Sequence, residues 1–237
     1  MRNLFLLFTL LAGMVWGQEK DTGNRFLVRE ITKIELSNSE QRDLMVHMLD
    51  SISTATNDVE LKETISEKIS NLNDIHFVDA KSIDLNSLEK SEKKGWNFNY
   101  DKFKEITFIK PKNIYGSRFY PYIGVKDNGN MYLRLKASFS GSDWVFVEKI
   151  IFLVDGEKIE FKPVSSNRDV SIHATVTENF DTPVDIKIYE LLQKIANSQN
   201  EVEYRLQGER SVDRVLKEKE KRLIKETLDF FERLKAE

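Results

Sequence analysis

Cysteine is absent from this 237-residue chain. That absence excludes disulfides, thiolate metal sites and a cysteine nucleophile together. Outside the cytoplasm, stability would have to come from packing alone, with no covalent staple. Proline (4) and glycine (10) are sparse, which excludes collagen-like and low-complexity chains. Histidine is scarcer still. His47, His76 and His173 are scattered, and no two have the spacing that places metal ligands on one helix face. Ser-His-Asp chemistry lacks support for the same reason. No sign of charge dominates either, since 36 bases against 39 acids give −3. A duplex nucleic-acid binder carries a basic stripe that displaces counterions from phosphate. Here Lys217, Lys219, Lys221 and Arg222 are interleaved with Glu218 and Glu220, which reads as a solvated helix face. Neither a nucleic-acid partner nor a cofactor is expected.

Long apolar runs are missing beyond the first 17 residues. Those residues have the order of a cleavable secretory signal peptide: Arg2, an apolar stretch over 4–12 broken only by Thr9, then Val15 and Gly17 before polar Gln18 and Glu19. The stretch is too short to span a bilayer, which takes about 20 residues. Gln18 stands where a lipoprotein needs cysteine, so no acyl anchor is expected there. Cleavage removes one base and takes the net charge from −3 to −4. The expected address is the periplasm or the cell exterior, with no membrane anchor after cleavage.

What remains is ordinary for a globular protein: 40% hydrophobic residues and 15 phenylalanines, enough for a sizeable core. Residues 18–83 predict a small, mainly helical region. Phe26-Leu27-Val28 and 31–36 look strand-like. Leu44, Met45, Met48, Leu49 and Ile52 then recur at helical spacing over 39–53, and Asp58 caps a second helix. Residues 84–95, rich in Lys, Glu, Ser and Asn, read as a linker. From 96 to 237 the pattern is strand-rich. A two-residue turn at Asn128-Gly129 predicts a hairpin pairing Gly124 with Leu133 and Tyr122 with Leu135. A second turn at Asp155-Gly156 sets Phe152 opposite Ile159 and Ile150 opposite Phe161. A further strand over 170–177, a helix opened by Thr182-Pro183, a strand over 201–206 and a last helix over 213–235 complete the reading. The fold class is α+β: a predominantly antiparallel sheet of two consecutive hairpins covered by C-terminal helices, beside the small helical region.

Several short pieces follow in a fixed order: Tyr122-Ile123-Gly124, Leu133-Arg134-Leu135, Gly141-Ser142-Asp143-Trp144, Asp155-Gly156, Arg168-Asp169, Ile195-Ala196-Asn197-Ser198 and Arg205-Leu206-Gln207-Gly208. This succession, over roughly 96–237, resembles a bacterial exported or envelope-associated domain family that carries no assigned activity. Related chains often hold a Trp-rich segment before the helix, whereas residues 172–180 here contain no tryptophan. The resemblance implies an envelope address and no reaction.

Carboxylates are the available catalytic groups. Asp143 and Asp169 are the candidate catalytic pair, because a glycosidase needs two carboxylates and an indole such as Trp144 beside Asp143 raises a carboxyl pKa. Gly141-Ser142-Asp143 is equally plain turn chemistry. Trp96, Tyr115, Tyr120 and Trp144 are the candidate binding residues, since aromatic surfaces bring large contact area at little entropic cost. Alternating strand aromatics also fill cores. The leading expectation is a non-enzymatic binding module for a protein or envelope component, and the alternative is a glycan-acting hydrolase.

Overall fold

Two turns set the strand-rich part of the chain, and they differ in kind. At Asp155-Gly156 both residues take positive φ (48° and 83°), as a two-residue hairpin turn requires. The pairing is the expected one, with Phe152 opposite Ile159 and Ile150 opposite Phe161. At the first hairpin only Gly129 is left-handed, at φ 83°. Its amide donates to the Lys126 carbonyl (2.8 Å), so the turn is built on Asp127-Asn128. The register is therefore one residue away from the expected one: Gly124 faces Tyr132, Ile123 faces Leu133 and Tyr122 faces Arg134. A one-residue shift exchanges the two faces of the partner strand. Ile123 and Val125 join Leu133 and Leu135 in the core, while Tyr122 and Gly124 go to the opposite face.

The computed structural model describes residues 20–32, 36, 39–73, 83–163, 166–170 and 175–236, in two compact units, 1–76 and 77–237. The signal-peptide residues, His76 and His173 lie outside the described set. Among the described residues, no helix is long and apolar enough to cross a membrane.

The first unit has helices α1 (Lys20–Ile31), α2 (Ser39–Ala55) and α3 (Val59–Asn73). The strand-like patch at 26–28 is helical instead, because Leu27, Val28 and Ile31 recur on one buried face and leave Phe26 exposed. Asp58 caps α3 by accepting from the Leu61 amide (3.1 Å), and Arg25 bridges Asp58 and Glu60.

The second unit holds a short helix α4 (Lys90–Lys93), strands β1 (Trp96–Asp101), β2 (Ile106–Pro111), β3 (Phe119–Lys126), β4 (Met131–Gly141), β5 (Lys149–Val154), β6 (Glu157–Phe161), β7 (Ser166–Val170) and β8 (Val176–Pro183). Helix α5 (Ile186–Asn197), β9 (Glu203–Gln207), β10 (Ser211–Val215) and α6 (Glu218–Ala236) complete it. Residues 84–95, read from the sequence as a linker, lie within the second unit. Leu88 is 5% exposed in this unit's core and Leu85 packs against that core, so the sparse leucines dock the segment. Three further boundaries differ from the sequence reading. β8 runs on through Thr182-Pro183, and α5 starts at Ile186, capped by Asp185, which accepts from the Ile188 amide (2.8 Å). Residues 211–215 return from Gly208 to pair with β9, which delays the last helix to Glu218.

All pairings are antiparallel, in a six-stranded sheet β1-β2-β3-β4-β8-β7 and a four-stranded sheet β10-β9-β5-β6. Aromatic rings join the two. Phe119 of β3 meets Phe152 of β5 edge-on at 5.3 Å and Tyr204 of β9 at 4.7 Å. Tyr204, enclosed there, has its hydroxyl pKa pushed up to about 12 by burial. Helix α6 adds Phe230, stacked on Trp96 at 4.4 Å, together with fully buried Phe231.

Two buried carboxylates pin this arrangement. Glu178 of β8 is 0% exposed and accepts three consecutive backbone amides, Val145 (2.8 Å), Phe146 (2.9 Å) and Val147 (3.0 Å). The Arg168 guanidinium lies 3.6 Å away. Those amides belong to the segment that carries the chain from β4 in one sheet to β5 in the other. Phe146 takes φ 53° to present its amide there. Gly208 allows the segment its path, since a Cβ at that position would sit 2.1 Å from the Phe146 carbonyl oxygen. Glu220 does the equivalent for α6. It accepts from the Lys217 amide at the start of its own helix (3.0 Å) and from the Arg118 amide at the entry to β3 (2.5 Å).

Phe231→Ala should lower stability by about 3–5 kcal/mol, the cost of emptying a fully buried aromatic site. Chemical denaturation measures this. A midpoint equal to wild type would mean that the α6 stripe is not core.

Candidate binding face of the six-stranded sheet

The candidate residues from the sequence fall in separate places. Trp96 points to the core face of β1 and stacks on Phe230, so its ring serves packing. Tyr115, in the loop between β2 and β3, is 94% exposed. Trp144 is half-buried beside Phe146 (5.8 Å between ring centres). Asp143 accepts from the Trp144 amide (2.9 Å) and is ion-paired to Arg210. Asp169 lies exposed on the edge strand β7 and accepts from the next amide, that of Val170 (2.8 Å). Both aspartates therefore make the local hydrogen bonds of turn and edge residues. Tyr120 alone belongs to a larger cluster of charged and aromatic groups.

That cluster follows from strand alternation. Residues directly opposite in an antiparallel pair share a face. One outward row is Asn97, Lys110, Tyr122 and Arg134, and the row beside it contains Tyr120, Lys136 and Asp181. On the other side, Phe108 and Tyr132 flank Gly124. The Tyr132 ring lies over that glycine so closely that a Cβ would fall 2.3 Å from its Cζ.

Asp181 is the hub. Its carboxylate accepts from the Tyr122 hydroxyl (2.8 Å), Arg134 Nε (2.7 Å) and Lys136 Nζ (2.9 Å), while Arg134 Nη2 donates to the Asp181 backbone carbonyl (3.0 Å). Burial alone would push the Asp181 pKa up. Arg134, with Lys136 and Tyr122, outweighs it and holds the carboxyl below its usual range. Burial, followed by the Asp181 charge, raises the hydroxyl pKa of both Tyr120 and Tyr122.

Lys110 is the exception within the cluster. Among the described residues, no carboxylate lies within ion-pairing distance of its ammonium, which sits 5.2 Å from the centre of the Tyr122 ring and 6.0 Å from that of Phe108. Burial, and then the neighbouring Lys136, lower its pKa, and Asp181 offsets this only in part. A half-buried cation without a counter-charge is a functional-site signal with a physical cause.

Part of this cluster shows in the sequence, where Arg134 and Lys136 alternate with the apolar Leu133, Leu135 and Ala137. Lys110 carries no signal of its own in the sequence, and Tyr122 and Asp181 are not among the candidate site residues. Their signal was the phase of Phe108-Lys110 and Tyr120-Tyr122 along their strands, legible only with the register known. Elsewhere, a concavity of about 470 Å³ opens between the β5–β6 turn and α5, lined by Asp155, Glu157, Glu190, Lys194 and Ser198. It is spanned by the Lys194–Glu157 ion pair (2.5 Å). In comparisons with known proteins, no family model, curated protein or solved structure matches this chain.

Lys110 should cost the fold stability. Its folded pKa is depressed, so the unfolded chain binds its proton more tightly, and the penalty is present below the folded pKa and fades as pH rises through the normal lysine range. Lys110→Met should therefore stabilise the protein at neutral pH by about 0.5 kcal/mol, a value kept small by solvent screening. The gain should vanish at strongly alkaline pH. Denaturation midpoints at the two pH values check this; a variant less stable than wild type at neutral pH would contradict it.

Proposed function

We propose that the chain is an exported, non-enzymatic binding protein, and that the outer face of its six-stranded sheet is the recognition surface. The observation that carries this reading is Lys110 among aromatic rings, unpaired among the described residues, beside an acid, Asp181, that is already engaged by Arg134, Lys136 and Tyr122. Folding gains nothing from a bare cation at that position. A ligand carrying the missing negative charge would supply what the fold leaves out. The export part of the reading rests on the signal-peptide pattern of residues 1–17.

Two measurements test the two parts. The mass of the protein recovered from expressing bacteria should correspond to a chain beginning at Gln18; an uncleaved chain would remove the export reading. Immobilised protein should retain material from an envelope extract, and the double variant Tyr120→Ala, Lys136→Ala should lose it. A control change at exposed Lys162 should have no effect. Equal retention by the double variant and wild type would remove this face as the recognition surface.

A further inference from the structure

We propose that Lys110 and Lys136 form the anion-binding centre of a site for an acidic glycan, a sugar chain bearing carboxylates, on the outer face of the six-stranded sheet. This inference rests on the binding-face reading above and adds the ligand's chemical class.

Charge decides the first half of the argument. Three cations, Lys110, Arg134 and Lys136, cluster with Asp181 on this face. The guanidinium of Arg134 is committed to Asp181 through Nε to the carboxylate and Nη2 to the backbone carbonyl. Its planar fork, the group suited to bidentate capture of an incoming anion, is thus turned inward. The cations left for a ligand are the two ammonium groups. Lys136 has a partner in Asp181 and Lys110 has none among the described residues, so an arriving carboxylate relieves the repulsion between them.

The neighbours decide the second half. Half-buried Phe108 and Tyr120 lie on the two flanks of the row that holds Lys110, and both offer ring surface. Asn97 stands directly across from Lys110 on β1, and Asn99 across from Phe108, with both amides exposed. Ring surface against the C–H face of a pyranose, amides for its hydroxyls and ammonium groups for its carboxylate form one coherent set. An extended peptide would instead seek the unpaired backbone groups of a sheet edge, which a sheet face does not offer.

The test is isothermal titration of the purified chain with trigalacturonate at low salt, with its fully methyl-esterified form and triglutamate as comparators. Trigalacturonate should bind, and raising the salt should weaken it. The ester, which keeps the rings and loses the charge, should bind about tenfold more weakly or not at all, the worth of one charged hydrogen bond. Lys110→Met should cause a loss of similar size, while Lys162→Met should change nothing. Equal binding of acid and ester, or an unchanged Lys110→Met, would overturn the inference. Triglutamate binding as tightly as trigalacturonate and in the same Lys110-dependent way would replace glycan by acidic peptide. If no acidic probe binds although Tyr120→Ala, Lys136→Ala still abolishes envelope retention, the glycan class is wrong and the binding face stands. Loss of that retention dependence would instead sink the face itself.

Discussion

One buried carboxylate sets the conditions for the rest of the second unit. Glu178 takes three backbone amides that have no ladder partner, because their segment is crossing from one sheet to the other. Without an acceptor, each amide would be buried unsatisfied, at a cost of about 1–3 kcal/mol. A carboxyl group would in turn be costly in an apolar interior without such donors and the nearby Arg168. Carboxylate and segment therefore make each other possible. With the crossing fixed, Val145 and Val147 point into the core and β5 lies where Phe152 can meet Phe119.

The same residue reaches the outer face through register. Glu178 and Asp181 are three positions apart on β8, so they lie on opposite faces: Glu178 opposite Phe139, Asp181 opposite Lys136. A slip of one residue would turn Glu178 outward and drive Asp181 into the core. Holding Glu178 inside thereby holds Asp181 outside, where it engages Tyr122, Arg134 and Lys136. Lys110, one strand beyond Tyr122, is left without a counter-charge among the described residues, because Asp181 is already engaged by Tyr122, Arg134 and Lys136. The fold and the proposed site share one constraint.

Much of the architecture was legible in the sequence because it is written locally. Asp155-Gly156 specified its hairpin register, and the helices α2, α3 and α5 appear as periodic apolar stripes with nearby caps. The α+β class followed from those elements. What was not legible depended on contacts distant in sequence. Whether Asn128-Gly129 forms a two-residue turn or a longer one with Gly129 alone left-handed changes no residue type, yet it decides which face of β3 joins the core. Leu85 and Leu88 look isolated in a polar stretch until a core exists to receive them. Ser211 to Val215 becomes a strand only beside β9. The candidate aspartates were chosen for loop position, which gives no information on convergence; Lys110 and Asp181 sit in strands and become a cluster only when β2, β3, β4 and β8 align. Glu178 was hidden for the same reason, although Arg168, 3.6 Å from it, is among the pieces that stood out in the chain.

The dependence on Glu178 is open to direct measurement. Glu178→Gln preserves shape and removes one acceptor oxygen, so an amide N–H group would face a donor within the clamp. Amide hydrogen exchange of Val145, Phe146 and Val147, followed together with the denaturation midpoint, reports the result. The account predicts that these three amides lose protection ahead of the surrounding strands and that stability falls by about 3 kcal/mol. Unchanged exchange at all three amides, with an unchanged midpoint, would show that the crossing segment holds its path without the carboxylate and would contradict the account.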